Sequence, residues 1–173
     1  MSISIKINER LLLVLMLWLI PMLVFAQNEV ARERSSLKGI QSMGLSVNYE
    51  ANAPLTEKTN INVPSLQEKG KRALQEGGIR VVPREEVRQS DEIPLLYLHI
   101  NAMDAGEGLV PFAVNLYFYQ PVKLVLNQDL QTTANTWESG TVGIVSYDKL
   151  QLIDQAAEDL LQEFIHDYNE INN

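Results

Sequence analysis

PLLYLHINAMDAGEGLVPFAVNLYFYQPVKLVLN, residues 94–127, holds two consecutive alternating stretches joined by a short glycine-bearing link. In Leu96, Leu98, Ile100 and Ala102, and again in Val110, Phe112, Val114, Leu116 and Phe118, every second residue is apolar. Successive side chains of a strand point to opposite faces, so each stretch has one face to bury. The link Asp104-Ala105-Gly106-Glu107-Gly108 supplies glycines where a reversal needs unusual backbone angles, and the pair reads as an antiparallel hairpin. A register with Met103 opposite Leu109 puts both apolar sets on the same face.

Working outward, Met43, Leu45, Val47 and Tyr49 alternate with polar residues between Gly39 and Glu50 and predict a first strand with one covered face. A loop follows at Ala51 to Asn60. Leu66, Ala73 and Leu74 then recur at helical spacing, with Pro64 near the start and Gly77-Gly78 past the end, where each suits a helix terminus. Ile79 to Val82 is a short strand stopped by Pro83, and Arg84 to Glu92 is charged and exposed.

Beyond the hairpin, Val122, Leu124 and Leu126 continue the parity of Phe118, while Pro121, lacking an N–H, marks an edge, a bulge or a break. Asn127 to Thr132 reads as a turn region. Thr133 to Ser146 is β-like, but Trp137 and Val145 fall on one parity and Val142 and Ile144 on the other, so a bulge at Gly140 or Gly143 is expected and the face carrying Trp137 stays open. Last, Leu150, Ile153, Ala157, Leu160, Leu161, Phe164 and Tyr168 make a continuous helical stripe, with Asp148 placed to cap it. The fold expected is α+β: an antiparallel or mixed sheet of about five strands with two helices on one face, in the order β-α-β-β-β-β-α.

The chain start has a different character. Lys6 and Arg10 precede the apolar run Leu11 to Ile20, and Pro21 leads to Val24-Phe25-Ala26 before polar Gln27. A basic start, an apolar core and small or modest residues before a polar break make a secretory signal peptide, here residues 1–26. The competing reading, an uncleaved anchor, must use Leu11 to Ala26, which contains a proline and falls short of the roughly 20 residues needed to cross a bilayer. Residues 27–38 then read as a flexible lead and 39–173 as a single α+β domain, placed in the periplasm or outside the cell with no stable membrane insertion after cleavage. There is no cysteine, hence no lipid attached at one, no disulfide and no thiolate chemistry.

A formal net charge of −8 disfavours phosphate backbones, so no nucleic-acid partner is expected. Lys69, Lys71, Arg72, Arg80, Arg84 and Arg88 are interrupted by Glu68, Glu76, Glu85 and Glu86 and read as a solvated surface. The two histidines, His99 and His166, lack zinc-site spacing, Gly-x-Ser-x-Gly and phosphate loops are absent, and no catalytic, cofactor or metal residue is assigned. Asp104 and Glu107 fall short of the six to eight oxygens calcium prefers.

The face opposite the apolar set is more informative. Tyr97, His99, Asn101, Asn115, Tyr117 and Tyr119 share it, with Lys123 further along. Tyrosine and asparagine give contact area and hydrogen bonds at low entropy cost, which suits a partner-binding face. Tyrosine also simply favours strands, and paired tyrosines shield an exposed sheet.

The segments Thr136-Trp137-Glu138-Ser139-Gly140, Phe164-Ile165-His166-Asp167-Tyr168-Asn169-Glu170-Ile171-Asn172 and Ala73-Leu74-Gln75-Glu76-Gly77-Gly78-Ile79-Arg80-Val81 resemble signatures of a family of small exported bacterial proteins of unassigned function. The resemblance carries no activity and transfers no functional residue; at fold level the chain is also similar to small α+β envelope domains that act as accessory modules. The expectation is therefore an exported, non-enzymatic accessory or binding protein whose partner is another envelope protein, against two rivals: a hydrolase using Asp104, Glu107 and His99, or a structural homo-oligomer.

The address is directly testable. Protein released from cells should begin at Gln27 on N-terminal sequencing, and recovery of an intact Leu11 to Ala26 segment in membranes would establish the anchor instead.

Overall fold

The computed structural model describes residues 30–59 and 62–173. The expected signal peptide, residues 1–26, lies outside them. The described part of α1 covers residues 30–36, followed by β1 (Ser42–Ala51), α2 (Ala53–Lys58), α3 (Val63–Glu76), β2 (Arg80–Val82), α4 (Arg84–Arg88), β3 (Leu95–Ala102), β4 (Leu109–Leu124), β5 (Asn127–Ser146), a 3-10 turn (Tyr147–Lys149) and α5 (Gln151–Asn172).

The five strands form one mixed sheet in the order β2-β1-β3-β4-β5. β1 runs parallel to both β2 and β3, with Leu45 beside Leu96, Val47 beside Leu98 and Tyr49 beside Ile100. β3, β4 and β5 form an antiparallel meander. The fold is α+β as the pattern requires.

The hairpin keeps its parity and changes its register by one pair. Ala102 lies opposite Phe112, and Met103 donates its N–H to Pro111 O instead of facing Leu109. The reason is the link itself: Ala105 donates its N–H to Leu109 O, so the turn closes over Gly106, Glu107 and Gly108, all with positive φ (86°, 53° and 76°), and the reversal is tighter than the expected link 104–108. Because the shift is by two residues, Leu96, Leu98, Ile100, Val114, Leu116 and Phe118 still share the buried face.

That face is covered by α3 and α5. Asn62 caps α3 by accepting from Ser65 N–H, Pro64 sits in the first turn, and Gly78 (φ 84°) carries the chain out. The predicted stripe of α5 is buried from Ile153 to Tyr168, at its centre Phe164, which has no exposed surface. Phe164 meets Phe118 at 5.3 Å and the edge of Trp137 at 5.0 Å between ring centroids. Trp137 is thereby placed on the inner face.

Several expectations are corrected. The bulge is at Thr136, since Phe118 pairs with Trp137 but Tyr119 with Asn135. Gly140 and Gly143 sit in regular register and instead make room: a Cβ on Gly143 would meet the Phe112 ring at 2.8 Å, and one on Gly140 the Asn115 Oδ1 at 2.6 Å. The reversal after β4 is a tight turn at Val125 and Leu126, and residues 127–132 are already strand. Pro121 falls where β4 has run past the end of β3, so its missing N–H costs no ladder bond on that side. Asp148 caps no α-helix; α5 has no side-chain cap, and the Asp148 carboxylate accepts from the Ser146 hydroxyl.

The largest difference is at residues 30–38, the described part of the expected flexible lead 27–38. Instead of a flexible lead, residues 30–36 are helical and Leu37 is fully buried. Arg34 Nε lies 3.0 Å from Asp167 Oδ1, and Asp167, only 3% exposed, also accepts from Trp137 Nε1 at 3.0 Å. Tyr168 donates its hydroxyl to Ile40 O, and Asn172 bonds both Leu37 O and Gly39 N–H. The segment is ordered by α5, which sequence periodicity over so short and charged a run does not reveal.

Phe164→Ala should remove roughly 3–5 kcal/mol, a large share of the roughly 5–15 kcal/mol that holds a domain together. A denaturant melt of the variant should show a transition displaced by that amount, and a variant as stable as the parent would mean that the aromatic cluster is not the centre of the core.

Candidate functional site

The inner face is consumed by α3 and α5, so the sheet can present only its outer one. There α4 covers the β1 end, with Val87 seated where a Cβ on Gly44 would stand. The remainder is open, and strand alternation sets Tyr97 and His99 from β3 beside Tyr117, Tyr119 and Asn115 from β4.

The register opposes Tyr97 to Tyr117 and His99 to Asn115. The rings touch in a continuous group: Tyr97 stacks with His99 at 5.7 Å and with Tyr117 at 6.4 Å, while Tyr119 lies 6.1 Å from Tyr117 and 6.4 Å from Tyr97. All four are half-buried. β1 adds two polar groups that sequence reading did not include, because nothing local says that β1 lies beside β3. Asn48 donates to the Tyr97 hydroxyl at 3.2 Å and to Glu50 at 3.0 Å, and Glu50 Oε1 stands 3.5 Å from His99 Nε2. Asn101, at one end of the group, is exposed, and Lys123 lies past the other end, beyond Tyr119, on the two-stranded part of the β4–β5 hairpin.

The aromatic group runs into a cleft of about 790 Å³ between that hairpin and the segment following α4. Leu95 and Tyr119 belong to the cleft, with Val87, Ile93, Pro121 and Gln131 around them. The Gln131 amide reaches Asp91 O at 3.3 Å across it. At the hairpin tip Val125 and Leu126 are 88% and 101% exposed. Ser90, Asp91, Glu92, Gln131, Thr132 and Thr133 make most of its lining polar, with Tyr119 its one aromatic residue, and its volume is within the range of ligand or peptide-side-chain sites.

The trio required by the hydrolase reading is not assembled. Asp104 is bound by Lys58 Nζ at 2.7 Å and by the Gly106 N–H at 2.8 Å, whereas His99 faces Glu50. His99 and Met103 alone are separated by four strand rises, about 13 Å. Glu107 is exposed on the turn. The Lys58 ammonium, then the Gly106 N–H, hold the Asp104 carboxyl down at about 2, far below the value useful for proton transfer near neutrality.

A second concavity of about 440 Å³ lies between α2, α3 and the start of α5. Burial raises the Asp154 carboxyl there, and burial together with Asp154 raises the Tyr49 hydroxyl. His166, Asp167 and Glu170 also bring ligand atoms within 4.8 Å of one another, but Arg34 already pairs with both Asp167 and Glu170. No helix among the described residues is long and apolar enough to cross a membrane.

No protein-family model and no curated protein matches the chain. Among solved structures, it is similar to a dodecamer of PelC from Paraburkholderia phytofirmans, with a TM-score of 0.40 and 14% identity over 76% of this chain and 92% of that one. It is also similar to a minor lipoprotein from Acinetobacter baumannii, with a TM-score of 0.38 and 11% identity over 78% of this chain and 96% of that one. Likeness at this level carries no activity or partner across.

The Asp104 contact predicts an acid response. Its folded-state pKa lies below the ordinary carboxylate value, so its stabilising contribution is complete above about pH 4 and is lost as pH falls from there through about 2. Asp104→Asn should be less stable than the parent at neutral pH and match it near pH 2. Carboxyl NMR titration should find Asp104 at about 2 in the parent, and returned toward 3.8 in Lys58→Met.

Proposed function

We propose that the chain is an exported, non-enzymatic accessory or binding protein of the cell envelope, acting in the periplasm or outside the cell on another envelope protein. The observation that carries this reading is the ring group of Tyr97, His99, Tyr117 and Tyr119 on the outer sheet face, continuous with the cleft at Leu95 and Tyr119. Half-buried tyrosines offer area and hydroxyls while already restrained by their neighbours, so little rotamer entropy is lost on binding. Asn101 and Asn115 supply adaptable hydrogen bonds at the margin.

Export is supported by the order of Lys6, Arg10, Leu11 to Ile20 and Val24-Phe25-Ala26. A non-enzymatic role is supported by Asp104 and His99, the groups a hydrolase would use, facing different partners: Asp104 is paired with Lys58, and His99 Nε2 lies 3.5 Å from Glu50. The alternative, that the tyrosines only shield the sheet, makes a different prediction for the same variant.

Tyr117→Ala should leave the fold intact, with a stability loss well below that of Phe164→Ala, and should abolish capture of the partner recovered by crosslinking in the native cell. Normal capture by a folded Tyr117→Ala protein would leave the tyrosines as sheet cover and overturn the binding role.

A further inference from the structure

The sheet has two edges, and they are treated differently. At the β2 side, the strand is three residues long and ends at Pro83, which has no N–H. The next rung of β1 is filled by a side chain: Gln67 Oε1 accepts from Val47 N–H at 3.0 Å and Gln67 Nε2 donates to Leu45 O at 2.9 Å. Those are the two bonds that one residue of a parallel strand opposite Ser46 would make, so the amide closes this part of the edge.

At the β5 side, protection stops partway. Near the Thr136 bulge, α1 approaches, with Ser36 Oγ donating to Thr136 O at 3.1 Å. From Trp137 to Ser146 the strand continues in unbroken register with β4, and no strand among the described residues pairs with its outer side. Residues Ser139 to Tyr147 contain no charge and no proline in a chain of which 21% is charged. Val142 and Ile144 are 80% and 67% exposed. A regular, uncharged strand edge of this kind is a template for pairing.

We propose that the outer edge of β5 pairs antiparallel with β5 of a second copy of this chain, about a two-fold axis at Val142. Self-pairing explains the charge pattern. A two-fold axis brings the same patch against itself, and with Val142 opposite its own copy, Glu138 lies opposite Ser146 and Ile144 opposite Gly140, so no acid stands directly opposite an acid. Asp148, exposed just past the strand, comes level with Thr136 of the second copy. There Arg32 and Thr136 line one groove together with Glu33 and Glu138, and Arg32 is exposed. One Arg32–Asp148 attraction is thus made twice by symmetry, in molecules that otherwise repel through a net charge of −8 each. The axis is normal to the sheet, and both outer faces turn the same way. This pairing stands whether or not the aromatic face binds a partner.

Light scattering on the full secreted chain should give the mass of a dimer, and Val142→Lys, at an exposed position, should give a folded monomer whose melting transition no longer depends on protein concentration. Arg32→Glu should weaken the dimer, and adding Asp148→Lys should restore it. In this cysteine-free chain, Val142→Cys should form a covalent dimer under mild oxidation while Leu126→Cys, at the exposed hairpin tip, does not. A parent of monomer mass at all concentrations, as expected if an extended peptide or the chain's own first residues cover the edge, overturns the proposal. So does equal crosslinking at the two cysteine positions.

Discussion

A carboxylate placed 3% exposed at Asp167 is the constraint around which the chain ends are arranged. A buried ion survives only when paired, and the two groups that pair it come from distant parts of the sequence: the Trp137 indole from β5 and the Arg34 guanidinium from α1. Arg34 Nε is close but lies off the hydrogen-bond direction, which makes its contact an ion pair, while the indole bond is directed. Meeting both conditions fixes α5 against β5 and draws α1 over the end of the sheet. The neighbouring residues of α5 extend the clamp, Tyr168 to Ile40 O, Asn169 to Gly77 O and Asn172 to Leu37 O. Each such bond is worth about 0.5–1.5 kcal/mol, and together they hold a segment with few apolar residues of its own.

The same docking decides which surfaces remain for function. With α5 and α3 against the inner face, the tyrosines can lie only on the outer one, since they have the opposite parity to Leu98 and Leu116. α4 is short and covers only the β1 end, leaving the β3–β4 region open. The β4–β5 hairpin outruns β3, which creates the wall of the cleft and exposes Val125 and Leu126 at its tip. Core and site are two readings of one alternation.

What was legible in the sequence is what local periodicity controls. The hairpin's buried set, the α5 stripe and the Pro64 to Gly77 limits of α3 follow from spacing and terminal chemistry, and the six outer-face residues follow from the hairpin parity. What was not legible depends on long-range partners. That β1 lies parallel to β3, bringing Asn48 and Glu50 to Tyr97 and His99, is written in no short stretch. Glycine misled at Gly140 and Gly143, because a glycine that makes room for the Phe112 ring or the Asn115 amide looks the same in sequence as one that permits a bulge. The actual bulge falls on a threonine stabilised by Gln120 and Ser36, a signal that exists only in three dimensions.

Residues 73–81, 136–140 and 164–172 acquire a physical meaning from this arrangement. Trp137, Asp167, Tyr168, Asn169 and Asn172 are hydrogen-bonding members of the clamp, and Gly77 lies so near Ile165 that a Cβ there would stand 2.5 Å from its Cγ2. Such residues are constrained by the docking of α5. They report how this chain folds, and they are silent on what the fold binds. Residues on the outer face escape that constraint, because Tyr97, Tyr117 and Tyr119 contact one another, with His99 and Asn48 beside Tyr97, and make no contact with α5 that the fold depends on. Specificity in a protein built on this clamp therefore has room to vary on the outer face and along the β5 edge without disturbing the fold that carries them.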